Sequence, residues 1–134
     1  MLMKGIWIVW VVLLAGLLAC NNDEEAVIVP GTYTGEFNRY SPGSPLISSH
    51  VSITLDQNTF TGSSDAPKSP AICSGSYKLT GSEIEFSNHC PWTAEFDWTY
   101  ILGGKFKVKV MNDEMILVRM YDNQVTDLYR LQRQ

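Results

Sequence analysis

Residues 73–90 read CSGSYKLTGSEIEFSNHC, two cysteines enclosing a run that alternates apolar with polar residues. A two-residue turn at Gly81-Ser82, where glycine supplies a positive φ, folds this run back on itself. Thr80 then faces Glu83, Leu79 faces Ile84, Lys78 faces Glu85 and Tyr77 faces Phe86. Apolar side chains meet on one face and opposite charges on the other. Extended outward, the same register sets Cys73 opposite Cys90, at a separation that a disulfide can span. A slip of one residue would undo every pair at once. A hairpin is expected.

The period of two recurs on both sides of this hairpin. Gly31–Phe37 alternates around Tyr33 and Phe37, and Val51, Ile53 and Leu55 alternate with His50, Ser52 and Thr54. Asp56-Gln57-Asn58 turns the chain and Thr59–Thr61 resumes around Phe60; Ser63–Pro70, rich in Ser and Pro, reads as a loop. Phe96, Trp98 and Tyr100 alternate with Glu95, Asp97 and Thr99, and Phe106, Val108 and Val110 with Lys105, Lys107 and Lys109. A three-residue loop at Gly103-Gly104-Lys105 would set Trp98 against Val110, Tyr100 against Val108 and Leu102 against Phe106, a hairpin with a bulge. Met115–Tyr121 and Val125–Leu131 read as the last two strands. About eight short strands with short turns and no helical period predict an all-β fold, a small antiparallel up-and-down barrel closed against exposed edges.

The N-terminus differs in kind. Lys4 precedes an apolar run, Gly5 to Ala19, that ends in Leu17-Leu18-Ala19-Cys20 and drops into Asn21-Asn22-Asp23-Glu24-Glu25. A short positive start, an apolar stretch and a small residue at the cut describe a secretory signal. The run is shorter than the ~20 residues of a membrane span. A single N-terminal membrane anchor is the other reading; the small Ala19 before a lone Cys, and the lack of following basic residues, speak against it. The segment resembles a bacterial lipoprotein signal peptide. That resemblance implies a removed leader over 1–19, a lipidated Cys20 opening a mature chain of 115 residues, an acidic tether over 20–29 and a barrel domain over 30–134. It places the protein on the bacterial outer membrane, facing periplasm or cell surface. Asp23-Glu24-Glu25 resembles the export tag of some Bacteroidota surface lipoproteins, and equally reads as a solvated tether. With the Gly-Thr-Tyr opening strand and the closing Tyr-Arg-Leu, the chain resembles the small lipocalin-like lipoprotein domains of bacteria.

With Cys20 assigned to lipidation, Cys73 and Cys90 remain as a pair in an exported, oxidising setting, and a disulfide is expected. A metal site on Cys73, Cys90 and His89 lacks ligand pairs at metal spacing, so no metal or cofactor is expected. Over Pro30–Gln134, nine Lys and Arg stand against eleven Asp and Glu, a net charge of −2. Without a basic patch, nucleic acid is not an expected partner. Nothing calls for an oligomer, so a monomer is expected.

Arg119 and Tyr121 fall on one strand face. They are similar to the Arg-x-Tyr pair with which intracellular lipid-binding barrels hold a fatty-acid carboxylate, Arg giving bidentate donors and Tyr a third. A two-residue turn at Asn112-Asp113 pairs Val108 with Leu117 and turns Arg119 inward; a three-residue loop buries Ile116, Val118 and Met120 and leaves Arg119 outside. The sequence leaves both open. Glu95 and Asp97 share a strand face as glycosidase carboxylates do, but read as the wet face opposite Phe96 and Trp98. His50 and His89 read as surface residues, with no Gly-x-Ser-x-Gly near either. In Asn88-His89-Cys90-Pro91-Trp92, Trp92 reads either as a cap on the barrel mouth or as an exposed anchor for a partner. Candidate ligand-contacting residues are Arg119, Tyr121, Trp92 and Trp98. No nucleophile–base pair stands out, so an enzyme is not expected. The expected function is a membrane-anchored binding module for a small amphipathic ligand, with an envelope protein-contact module, such as a hydrolase inhibitor using Ser41–Pro45 or Ser63–Pro70, as the alternative.

Overall fold

The computed structural model describes residues 25–134; the leader and Cys20 lie outside the described residues. Eight strands run in chain order: β1 (Gly31–Tyr40), β2 (Ile47–Leu55), β3 (Thr59–Ser64), β4 (Ser74–Thr80), β5 (Glu83–Asn88), β6 (Gly104–Met111), β7 (Glu114–Met120) and β8 (Thr126–Arg133). Each pairs antiparallel with the next, and β8 returns to β1 from Tyr33↔Arg133 to Tyr40↔Thr126, closing an up-and-down barrel. All eight strands find their partners within residues 31–133, so the barrel is a self-contained unit.

The β4–β5 hairpin has the expected register, with Thr80↔Glu83, Leu79↔Ile84, Lys78↔Glu85 and Tyr77↔Phe86. Gly81 takes φ 59° in the turn. Gly75 permits the close approach at its open end, because a Cβ there would lie 1.9 Å from the Ser87 carbonyl oxygen. Beyond it Cys73 and Cys90 form a disulfide, with Cα atoms 6.2 Å apart. Both sulfurs are thereby used, which removes the competing Cys–His metal reading.

The turn between β6 and β7 is the two-residue one. Met111 pairs with Glu114 and Val108 with Leu117, while Asn112 takes φ 55°, a conformation asparagine tolerates. Arg119 accordingly faces inward.

The expected strand Glu95–Tyr100 does not form. The chain bends there, and Trp98–Tyr100 is one turn of 3-10 helix capped by Asp97, whose carboxylate accepts from the Thr99 amide and hydroxyl. This side chain–backbone bond competes with the ladder that alternation alone suggested. The expected hairpin with a loop at Gly103-Gly104-Lys105 is therefore absent, with its pairings of Trp98 with Val110, Tyr100 with Val108 and Leu102 with Phe106, and Gly104 and Lys105 belong to β6. β6 instead runs back along β5, with Ile84↔Phe106 and Glu83↔Lys107. Glu95 and Asp97 share no strand face, and Asp97 approaches Arg39 rather than the lysines.

The barrel interior is filled by side chains. Phe60, Phe86, Phe106, Tyr129, Phe37 and Tyr100 form an unbroken string of ring contacts, with neighbouring centroids 4.8–6.2 Å apart. Tyr33, Ile53, Leu55, Ile84, Met115, Leu117 and Leu131 pack around them, all at most 2% exposed. Burying a large apolar side chain of this kind stabilises the fold by roughly 1.5–3 kcal/mol.

The two ends of the barrel differ. Turns 56–58, 81–82 and 112–113 close one end, where Ala26 and Ile28 pack against the core and the Ala26 amide donates to the Gly81 carbonyl. Connections 41–46, 65–73, 89–103 and 121–125 gather at the other. There Ala71 bridges Ile101, which with the disulfide stitches connection 65–73 to connection 89–103.

Candidate functional site

At the loop end, register brings three charged side chains to one level inside the barrel. Arg39 on β1 pairs with Asp127 on β8, and Asp127 pairs with Arg119 on β7. The Arg39–Asp127 contact is a two-pronged ion pair, Nε to Oδ1 at 2.6 Å and Nη2 to Oδ2 at 2.8 Å. Both side chains are nearly inaccessible, at 6% and 2% exposure. Arg119 Nη2 lies 3.6 Å from the same carboxylate. The Tyr121 hydroxyl sits 3.1 Å from Asp127 Oδ2 and 3.2 Å from the Thr99 carbonyl oxygen, donating to one at a time. Burial first, then the Asp127 charge, pushes the Tyr121 phenol up.

The connection 89–103 completes the cluster from above. Arg39 Nη1 donates to Thr99 Oγ1 at 2.8 Å and lies 3.5 Å from Asp97. The Thr99 carbonyl accepts from Arg39 Nη2 at 3.1 Å and Arg119 Nη2 at 3.3 Å, and the Gly103 carbonyl accepts from Arg119 Nη1. Tyr100 stacks under the Arg39 guanidinium at 3.8 Å, and Phe106 under that of Arg119 at 4.2 Å. Two guanidiniums thus face two carboxylates. The Asp97 carboxyl is held below its ordinary value by the Thr99 hydroxyl foremost, with the Thr99 amide and Arg39 adding to it.

Every nitrogen of Arg39 already has a partner, so this arrangement cannot offer the free fork a ligand carboxylate takes. Arg119 retains only a buried Nε without an acceptor among the described residues. Chemically the cluster is a plug. It fastens the 89–103 connection over the aromatic core and leaves a shallow depression of about 200 Å³ lined by Arg39, Asp97, Thr99, Tyr121 and Asn123.

The structure brings Arg119 and Tyr121 together and leaves the two tryptophans apart from them. Trp92 packs edge-on against Phe96 at 5.9 Å within its own connection, rather than capping the barrel core. Trp98 is 55% exposed, its indole held by a bond from Nε1 to the Thr93 carbonyl at 2.8 Å. His50 and His89 are both exposed. Tyr40, Leu46, Ile47 and Met120 are exposed at the same end of the barrel.

Arg39 and Asp127 escaped the sequence reading. The signal was present: Asp127 shares the inward parity of Tyr129 and Leu131, and Arg39 that of Tyr33 and Phe37. A charge at an inward position on each of two strands invites a search for its partner.

Compared with known proteins, the chain matches no family model, no curated protein and no solved structure.

Proposed function

We propose that this protein is a membrane-tethered, non-enzymatic binding module that meets a protein partner with the loop end of its barrel. The observation that carries the reading is the plug. Ring contacts fill the interior, and a charge-balanced Arg39–Asp127–Arg119 cluster seals the mouth, so recognition falls to the outside. On that outside Trp98 is exposed yet held in one orientation, the property of an aromatic anchor at a protein interface. The chain enters the barrel at the turn end, so a lipid on Cys20 would leave the loops pointing away from the attachment point. The anchor itself, and residence on the bacterial outer membrane, rest on the leader's resemblance to lipoprotein signals.

Two measurements test this. The chain from Asn21 onward, immobilised, is expected to capture a stoichiometric envelope protein, and Trp98→Ala and Ile47→Asp are expected to lose it without changing the melting temperature. Titration with an apolar probe or a fatty acid is expected to show no saturable site. Saturation at one molecule per barrel, weakened by Arg119→Ala, would overturn the reading in favour of a small amphipathic ligand.

A further inference from the structure

The net charge of the barrel sits at one end. The four loop-end connections, 41–46, 65–73, 89–103 and 121–125, carry four acids, Asp65, Glu95, Asp97 and Asp122, against one base, Lys68. The rest of residues 25–134 carries eight Asp and Glu against eight Lys and Arg, and is balanced. All four loop-end acids are exposed. Asp97 lies 3.5 Å from Arg39. Asp65, Glu95 and Asp122 make no ion pair within 4.0 Å among the described residues. The lone base is held over the Phe96 ring, its ammonium 5.3 Å from the centroid.

Large apolar side chains share this end. Met120 on β7 and Tyr40 on β1 both pair with Thr126 on β8, which lies between them. Leu46 precedes β2, and Ile47 opens it opposite Arg39. These residues follow four neighbouring strands, β7, β8, β1 and β2, around the rim. Met120 is 73% exposed and Leu46 55%, too open to serve the core. Trp98 joins them from the 89–103 connection, which Asp97 and Thr99 fasten to Arg39 on β1. Exposed apolar groups gathered in this way mark an interaction surface, and Trp, Tyr and Met are enriched in such surfaces.

We infer that this end takes a cationic amphipathic polypeptide segment, apolar side chains bordered by Lys or Arg, an inference that rests on the loop-end reading above and names the chemistry of its partner. The apolar rim alone leaves the charge of the partner open, and the acids decide it. Asp97 directly precedes Trp98, and Asp122 follows Met120 by two residues. A basic group beside a partner's apolar side chain therefore finds a carboxylate beside the apolar group it meets. Charge of one sign confined to one end also steers an oppositely charged partner toward that end. A second copy of this chain fits poorly, because its own loop end would bring the same acids face to face.

The test uses the chain from Asn21 and three synthetic peptides of equal length, alternating Leu-Lys, Leu-Glu and Ser-Lys, with affinities read by isothermal titration. The Leu-Lys peptide is expected to bind about tenfold tighter than either of the others. At about 1 M salt, where the Debye length is about 3 Å, its advantage over Leu-Glu is expected to disappear. Asp65→Asn/Glu95→Gln/Asp122→Asn is expected to weaken Leu-Lys binding about tenfold, and Trp98→Ala likewise. The variant Glu25→Gln/Asp56→Asn/Asp113→Asn removes as much charge at the turn end and is expected to leave binding unchanged. Leu-Glu or Ser-Lys binding as tightly as Leu-Lys, or equal weakening by the two neutralised sets, overturns the inference. Failure to capture any envelope protein defeats the reading above but not a measured preference for Leu-Lys. Capture of a partner without that preference keeps the reading and overturns this inference.

Discussion

The two ends of the barrel are held by different physics. At the turn end, Gly81-Ser82 and Asn112-Asp113 reverse the chain in two residues each, and the shape of each turn is decided by its own residues. Apolar Ala26 and Ile28 pack beneath them, and the Tyr33 hydroxyl donates to the Val29 carbonyl at 2.5 Å. At the loop end, the connections are long and their positions are set by groups far apart in sequence. Arg39 reaches Asp127 across 88 residues and Thr99 across 60. Local geometry closes one end, and a buried charge network closes the other. The first is forgiving, since each piece stands alone. The second is not, because removing one member strands the rest.

The largest expected effect therefore lies at Asp127. Asp127→Ala leaves two guanidiniums facing each other in a buried site, and is expected to cost about 3–5 kcal/mol in denaturant unfolding. Replacing the pair together, Arg39→Met with Asp127→Leu, is expected to return part of that, since Arg39 is no longer stranded while Arg119 loses the carboxylate and keeps the Thr99 and Gly103 carbonyls. A double variant no more stable than Asp127→Ala would show that the loss does not come from a stranded Arg39. Next is the disulfide. Cys73→Ser/Cys90→Ser is expected to cost about 3 kcal/mol for a loop of this length. Hydrogen exchange should rise in 65–73 and 89–103 while the turns at 81–82 and 112–113 keep their protection. Uniform loss at both ends would erase the contrast between them.

The same contrast explains what could be read from the sequence. The hairpin 73–90 was legible because its turn, register and cross-strand pairs all lie within eighteen residues, and a period-two pattern admits one solution there. Whether Arg119 faced inward was not, because it hung on whether the Asn112-Asp113 turn took two residues or three; the answer lay in asparagine's tolerance of a positive φ. The strand expected at Glu95–Tyr100 failed for a nonlocal reason. Its alternation is real, but Asp97 caps the following turn, and Arg39 and Arg119 take the Thr99 carbonyl, so the segment lies across the mouth. Two partners on β1 and β7 decide the path of a segment between β5 and β6, and no window of neighbouring residues contains them.

At the turn end, the visible ion pair is Arg133 with Asp113, at 2.8 Å and with side chains 35% and 52% exposed. Asp113→Ala is expected to cost about 0.2–1 kcal/mol, and less in high salt. A loss as large as that of Asp127→Ala would break the distinction between the ends.

The smallest effect separates the ends by pH. Asp97 belongs to the loop end alone, and its carboxyl is held below the ordinary value of 3.8, by the Thr99 hydroxyl first. A carboxylate whose value is depressed on folding contributes stability that is present above the unfolded-state value and is lost as pH falls through the folded-state value. The loop end should therefore hold unchanged from neutrality to about pH 4 and loosen below it. Because Asp97 is more than half exposed, the loosening should stay local: Trp98 emission shifts while the far-ultraviolet β signal persists. Asp97→Asn removes the titrating group, so its Trp98 emission should be flat over the same acid range. An identical acid shift in Asp97→Asn would mean that Asp97 does not govern the mouth in acid.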